Sequence, residues 1–225
     1  DTRPTTLKQR FRADGITLLG VSHLHQGAID VNLQDQFLER FEAVVPDCQL
    51  VVFSDFNYGC LPQALVERLI ELGQLHGVMM AADSQSSSQI GDVSRFKGMH
   101  LLTPTEHEAR VSLRNHQDGL VVLAEQLRDK SEARNVILKL GQEGALLHLA
   151  SDEGGSLTDR IPALNRLPRD AAGAGDALLI AMAMAMAVGA TPWEAAYLGA
   201  VSAAVQVSRT GNIPLTQADL KRELN

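Results

Sequence analysis

Asp170-Ala171-Ala172-Gly173-Ala174-Gly175-Asp176 joins an extended segment to the longest apolar run of the chain, 177–188. The run is too short for the roughly 20 residues that span a bilayer, so it reads as a buried helix. Small residues at 171–175 let a ligand approach the backbone closely. The first N–H groups of a helix have no intrahelical partner, and with the helix dipole they attract anions. Asp176 lies at that terminus, where an ionised carboxylate gains about 0.3–1 kcal/mol. A donor nest beside a proton acceptor suits phosphoryl transfer, which needs positioned donors and an Asp to take the hydroxyl proton. The plainer reading is a capping Asp after a glycine turn.

Upstream, strand and helix patterns alternate. A ribbon is expected from residue 5 to 21, turning at Asp14-Gly15. Strands are expected at 49–53, 78–82, 100–102 and 136–140, the second ending at Asp83. A loop rich in Ser and Gln covers 84–89, and a segment at 145–149 pairs back across Gln142-Glu143-Gly144. Another extended segment leads to Asp170. Helices are expected at 33–44, from Pro62 to Gly77, from Thr105, at 119–128, and from Gly173, Pro192 and Gln217. Such alternation implies a mainly parallel sheet covered on both faces, with ligands at the carboxyl ends of the strands.

The 225 residues are 45% hydrophobic and 21% charged, enough for a buried core and against disorder. A net charge of −7 with no basic cluster argues against a nucleic-acid partner, and no segment suits a membrane. Cys48 and Cys60 have no metal-ligand spacing, so a reducing, cytoplasmic setting is expected. His23 and His25 read as a surface pair on a strand, His107 as a solvated helix residue. Met182, Met184 and Met186 alternate with Ala, which reads as all-round burial of their helix.

The stretch at 170–176 closely resembles the D-T-x-G-A-G-D signature of the ribokinase-like (PfkB) carbohydrate kinases. Val51-Val52-Phe53-Ser54-Asp55-Phe56-Asn57-Tyr58-Gly59 is similar to the family's S-D-Y-x-K-G strand end. Asp83 falls where the family has D-P-K. Leu101-Leu102-Thr103-Pro104-Thr105-Glu106-His107-Glu108 is similar to L-L-T-P-N-x-x-E, and Leu140-Gly141-Gln142-Glu143-Gly144 to L-G-x-x-G. Within the family, Pro4-Thr5-Thr6-Leu7-Lys8-Gln9-Arg10 resembles the lid strand of the heptose-phosphate kinases.

The resemblance implies a three-layer α/β ribokinase-like fold, with a lid remnant and linker at 1–31 and a kinase core at 32–225. It implies ATP-dependent phosphorylation of a sugar or sugar phosphate such as heptose 7-phosphate. Asp176 would be the general base, with Gly173, Ala174 and Gly175 as the anion hole. Lys139, Gly141, Gly144, Asp170 and Asn212 would serve the nucleotide, and Lys8, Arg10 and Asn57 the sugar. Glu108 would reach Mg2+ through water. Thr105-x-x-Glu108 is also a capping box, Gly144 equally a hairpin turn, and Lys8 and Arg10 equally exposed charges on a ribbon. The family's segment ahead of the lid strand has no counterpart here. The chain is therefore expected to be truncated, leaving an open sheet edge for a second copy, a homodimer. Ala171 for Thr, Thr105 for Asn, Tyr58 for Lys, and Gly20 and Ser22 for the second lid strand's Arg and Asp depart from the pattern. Those departures favour the alternative, a catalytically silent nucleotide-binding or assembly domain of the same fold.

Overall fold

The computed structural model describes residues 3–13, 16–25, 27–85, 91–151, 153–165 and 167–224. The expected turn at Asp14-Gly15 and most of the 84–89 loop lie outside the described residues. Strands β1 (Leu7–Ala13) and β2 (Ile16–His23) form a separate antiparallel ribbon, with an irregularity at Phe11/Arg12.

Six strands build the main sheet: β3 (Leu50–Asp55), β4 (Met79–Ser84), β5 (Leu101–Leu102), β6 (Asn135–Lys139), β7 (Ala145–Ala150) and β8 (Ser156–Ile161). They lie side by side in chain order. From β3 to β6 the pairing is parallel, and β7 and β8 add an antiparallel edge. Among the described residues β3 forms the other edge of the sheet.

Alternation along the strands sorts the core into two halves, because successive side chains point to opposite faces. Phe53, Met80, Ala82, Leu102, Val136, Leu138 and Leu146 face one way. They meet helices α1 (Val31–Val44), α2 (Gln63–Leu75), α3 (Glu106–Leu113) and α4 (Leu120–Ser131). Ala81, Leu101, Ile137, Ala145, Leu147 and Leu149 face the other way, toward α5 (Ala174–Ala187) and α6 (Pro192–Val207). Each fully buried Leu, Ile, Met or Phe contributes roughly 1.5–3 kcal/mol, so both faces carry substantial stabilisation. A short helix α7 (Gln217–Leu224) ends the described chain. Among the described residues no helix is long and apolar enough to cross a membrane.

Three expectations change. Only 156–161 of the stretch leading to Asp170 is strand; Pro162, which has no N–H to donate, follows β8 directly. The α5 helix is not buried all round. Met182 is fully buried, but Ile180, Met184 and Val188 are exposed, 58% at Met184, because sheet and α6 cover only two sides of α5. Of the histidine pair only His23 is in a strand, and both are exposed. The buried histidine is His148 on β7, whose Nδ1 lies 2.8 Å from Thr158 Oγ1 and Nε2 2.5 Å from Glu125 Oε2. It pins the β7–β8 edge to α4. Hydrogen bonds from Ser156 first, then His148, hold the Glu125 carboxyl below its usual range.

The β6–β7 connection turns on Gly144, at φ 92° and ψ −125°. A Cβ there would sit 2.0 Å from the Ile161 carbonyl oxygen and 2.6 Å from Ala163 N. Gly144→Ala is expected to destabilise the chain by at least about 1–3 kcal/mol. Gly20→Ala, where a Cβ meets open space, is expected to stay within about 0.5 kcal/mol. Urea unfolding of both variants checks this; equal midpoints would contradict it.

Candidate active site

The loop at 170–175 is held by hydrogen bonds from both sides. The Asp170 carboxylate accepts from Ala172 N–H at 3.1 Å and Gly211 N–H at 2.9 Å. Gln206 Nε2 donates to the carbonyls of Ala172 at 3.1 Å and Gly211 at 3.2 Å. These bonds tie the approach to α5 to the loop after α6. Gly173 is the N-cap of α5, left-handed at φ 80°. A Cβ there would lie 2.2 Å from Asn212 Oδ1, so no other residue fits without displacing Asn212. Asp176 is therefore not the cap but the third helical residue. The first α-type bond of α5 runs from Ala177 N–H to Gly173 O at 2.9 Å. Among the described residues this leaves the N–H groups of Gly175 and Asp176 open at the terminus.

A cavity of about 700 Å3 opens over this terminus, at the carboxyl ends of β4, β5 and β6. Every site residue singled out from the sequence lines it except Asp170 and Asn57. Asp170 instead braces the loop. Asn57, at φ 58°, clasps the ends of β3 and β4. Its N–H donates to Asp55 Oδ1 at 2.9 Å, and its Nδ2 to Ser84 Oγ at 3.0 Å and to the Gln85 carbonyl at 2.8 Å. Asp55 is held in turn by Arg95 at 2.8 Å. The clasp positions Gln85, whose Nε2 donates to Asp176 Oδ1 at 3.4 Å.

Lys139 ends β6 with its ammonium 2.5 Å from Asp83 Oδ2. Burial pushes the Asp83 carboxyl up from 3.8 to about 6, against the pull of Lys139; the charges of Glu108 and Asp176 push in the same direction as burial. Asp83 Oδ1 is fully buried and has no hydrogen-bond partner among the described residues. Such an acceptor calls for a donor or a cation. Glu108, also buried, has Oε2 accepting from Thr105 N–H at 2.7 Å while Thr105 Oγ1 accepts from Glu108 N–H at 3.2 Å. The capping box forms, and the same carboxylate lines the cavity.

The other two ends of the cavity differ in character. One is apolar, walled by Ile161, Pro162, Ala163, Ala200, Ala203 and Val207. Its signal in the sequence was the small-residue spacing Ala200, Ala203, Ala204, Val207 on α6, one face of a helix. The other is basic: the ribbon lays Lys8 and Arg10 along the rim. Lys8 Nζ lies 5.1 Å from the Tyr58 ring centroid and 5.6 Å from that of Phe56. Tyr58, where a cation was expected, thus supports a cation delivered from β1. Sequence reasoning also passed over Gln85, which only the β3–β4 clasp brings to Asp176.

The sequence profile described as pfkB family carbohydrate kinase matches residues 24–218. The bifunctional protein HldE of Paramagnetospirillum magneticum is 30% identical over 212 residues, 93% of this chain and 42% of that protein. HldE of Desulfatibacillum aliphaticivorans is 29% identical over 227 residues, 99% and 44%. The chain thus spans less than half the length of these relatives. Escherichia coli phosphofructokinase-2 superposes with a TM-score of 0.74 at 17% identity, covering 91% of this chain and 65% of that one. Thermotoga maritima ribokinase gives 0.63 at 22% identity, covering 81% and 59%. The fold is ribokinase-like.

Proposed function

The chain belongs to the pfkB family of carbohydrate kinases, and from that premise we propose that it transfers the terminal phosphoryl group of ATP to a hydroxyl of a sugar or sugar phosphate. The observation that carries the proposal is the junction at α5, where open N–H donors and the Asp176 carboxylate share one end of a single cavity. In the anion hole of Gly173, Ala174 and Gly175 the open N–H donors take the charge of the transferring group, as preorganised donors do, while Ala174 N–H itself donates to the Ala171 carbonyl at 3.3 Å. Asp176 accepts the proton of the attacking hydroxyl, with Gln85 holding one of its oxygens. The apolar end takes the base and ribose, near Asn212, Gly141 and Gly144. Lys8 and Arg10 at the basic rim favour an acceptor that carries its own phosphate, such as heptose 7-phosphate, over a neutral sugar. In this reading residues 1–31 act as a lid on the core at 32–225.

Kinases of this family use ATP with Mg2+. The donor set suits a hard cation that arrives with nucleotide phosphates: few protein carboxylates and the remainder from phosphate and water. Asp83, with its unpartnered buried oxygen, and Glu108 are those carboxylates. Mg2+ would be held by Glu108 through water, and when bound it neutralises phosphate charge.

ADP formation with Mg2+, heptose 7-phosphate and a panel of sugars tests the proposal. Asp176→Asn is expected to lower kcat by about 100- to 10,000-fold while ATP affinity, read by calorimetry, is retained. Loss of ATP binding in parallel would make Asp176 a structural residue. ATP binding by the wild-type chain without turnover on any acceptor would support the silent domain, the reading that Ala171, Thr105 and Tyr58 favour.

Association of two copies has its own support in the ribbon. Leu7, Phe11 and Leu19 share the face opposite Lys8 and Arg10, and each is more than half exposed. A two-stranded ribbon is marginal alone in water, so a second ribbon packed on that face would stabilise both. Light scattering is expected to show a dimer that Phe11→Glu converts to monomer. A wild-type monomer at all concentrations would contradict it.

A further inference from the structure

Lys139 occupies an unusual electrostatic position. A Cβ built on Gly175 would lie 3.0 Å from its Nζ, so the ammonium sits directly against the first turn of α5. That is the positive end of the helix dipole, where a cation is least favoured. The side chain is also largely removed from water, 13% exposed, and Asp83 only 3%. Burying an ion pair strips both ions of their hydration, a cost that only their attraction and further hydrogen bonds offset. Lys139 is fixed there from both sides of its backbone: its N–H donates to the Pro104 carbonyl at 2.8 Å, and it pairs with Ala145 across the β6–β7 ladder. Asp83 Oδ2 takes one of the three ammonium donors, and among the described residues no other acceptor is bonded to Nζ. A pair that served only to hold β4 to β6 would gain nothing from lying at a helix N-terminus inside a cavity. An anion bound between α5 and Nζ removes the repulsion and uses the open donors.

We propose that the Lys139 ammonium, positioned by Asp83, is a built-in cation of the phosphate site that grips the terminal phosphates of ATP directly, so that the chain binds ATP without a divalent ion. The inference rests on the reading of the cavity as an ATP site and adds to it a metal-independent source of phosphate affinity. Gly175 belongs to the same device, since a Cβ there would lie 3.0 Å from the ammonium and oblige it to give way by a few tenths of an ångström.

The test is equilibrium binding of ATP and of adenosine to the intact chain, each with Mg2+ and with EDTA. In EDTA the wild-type chain is expected to bind ATP at least about tenfold more tightly than adenosine, the scale of one charge-assisted contact. Lys139→Met is expected to erase that preference, weakening ATP in EDTA by about tenfold or more while adenosine affinity stays unchanged. Adenosine binding also reports that the variant is folded, and the wild-type comparison of ATP with adenosine needs no variant. Metal-free ATP binding that is equal in wild type and Lys139→Met would overturn the inference and leave the nucleotide reading intact. So would wild-type binding of ATP only when Mg2+ is present. A wild-type chain that binds neither ATP nor adenosine under any condition would overturn the nucleotide reading and the inference together.

Discussion

Gly173 takes the left-handed conformation that glycine adopts without strain, and a Cβ there would fall 2.2 Å from Asn212 Oδ1, so a side chain could enter only by displacing Asn212. That contact decides where α5 begins. With the cap fixed at Gly173, the N–H groups of Gly175 and Asp176 stay open at the terminus, and Asp176 is the third helical residue. The hydrogen bonds of Asp170 and Gln206 keep the loop from collapsing onto its own donors. A loop closed on its own donors would satisfy the backbone and leave none for the proposed anion site. The tertiary brace and the open terminus are therefore one feature, built from residues as far apart as 170 and 212.

Around this junction the sheet sorts charge by position. Parallel strands end together, so Gln85, Thr105 and Lys139 arrive at the same rim from β4, β5 and β6. Asp83 and Lys139 face each other across that rim, largely shielded from water, which raises the Asp83 carboxyl even beside a cation. The ribbon then supplies Lys8 and Arg10 from a separate sheet, with Lys8 resting on the rings of Phe56 and Tyr58. An aromatic at 58 is thus compatible with a basic rim, since the charge comes from a neighbouring element.

Much of this was legible in the chain. Hydrophobic runs bounded by Gly and Pro marked the strands and helices, and the Thr105 capping box forms as its spacing requires. The hairpin across Gln142-Glu143-Gly144 forms as well, because Gly144 alone tolerates the backbone angles needed there. What escaped was tertiary. Nothing local says that Met184 faces outward, because that depends on how far the sheet and α6 extend around α5. Asp170 and Asn57 have the residue types of ligand-binding groups, yet the carboxylate is used by the N–H groups of Ala172 and Gly211, and the amide by Ser84 Oγ and the Gln85 carbonyl. Gln85 lies in a segment without periodicity, and only the clasp between β3 and β4 aims it at Asp176. The apolar end of the cavity comes from Ala and Pro residues whose small size matters only once α6 lies against 161–165.

The central claim is that the first turn of α5 receives the terminal phosphates of a nucleotide. The backbone amide resonances of Gly173, Gly175 and Asp176, followed by NMR while a non-hydrolysable methylene analogue of ATP is titrated in, address it directly. Downfield shifts of these amides that saturate together with the side-chain amide of Asn212 are the predicted result. Saturation of the nucleotide with these amides unmoved, and shifts confined to another face of the sheet, would contradict the account.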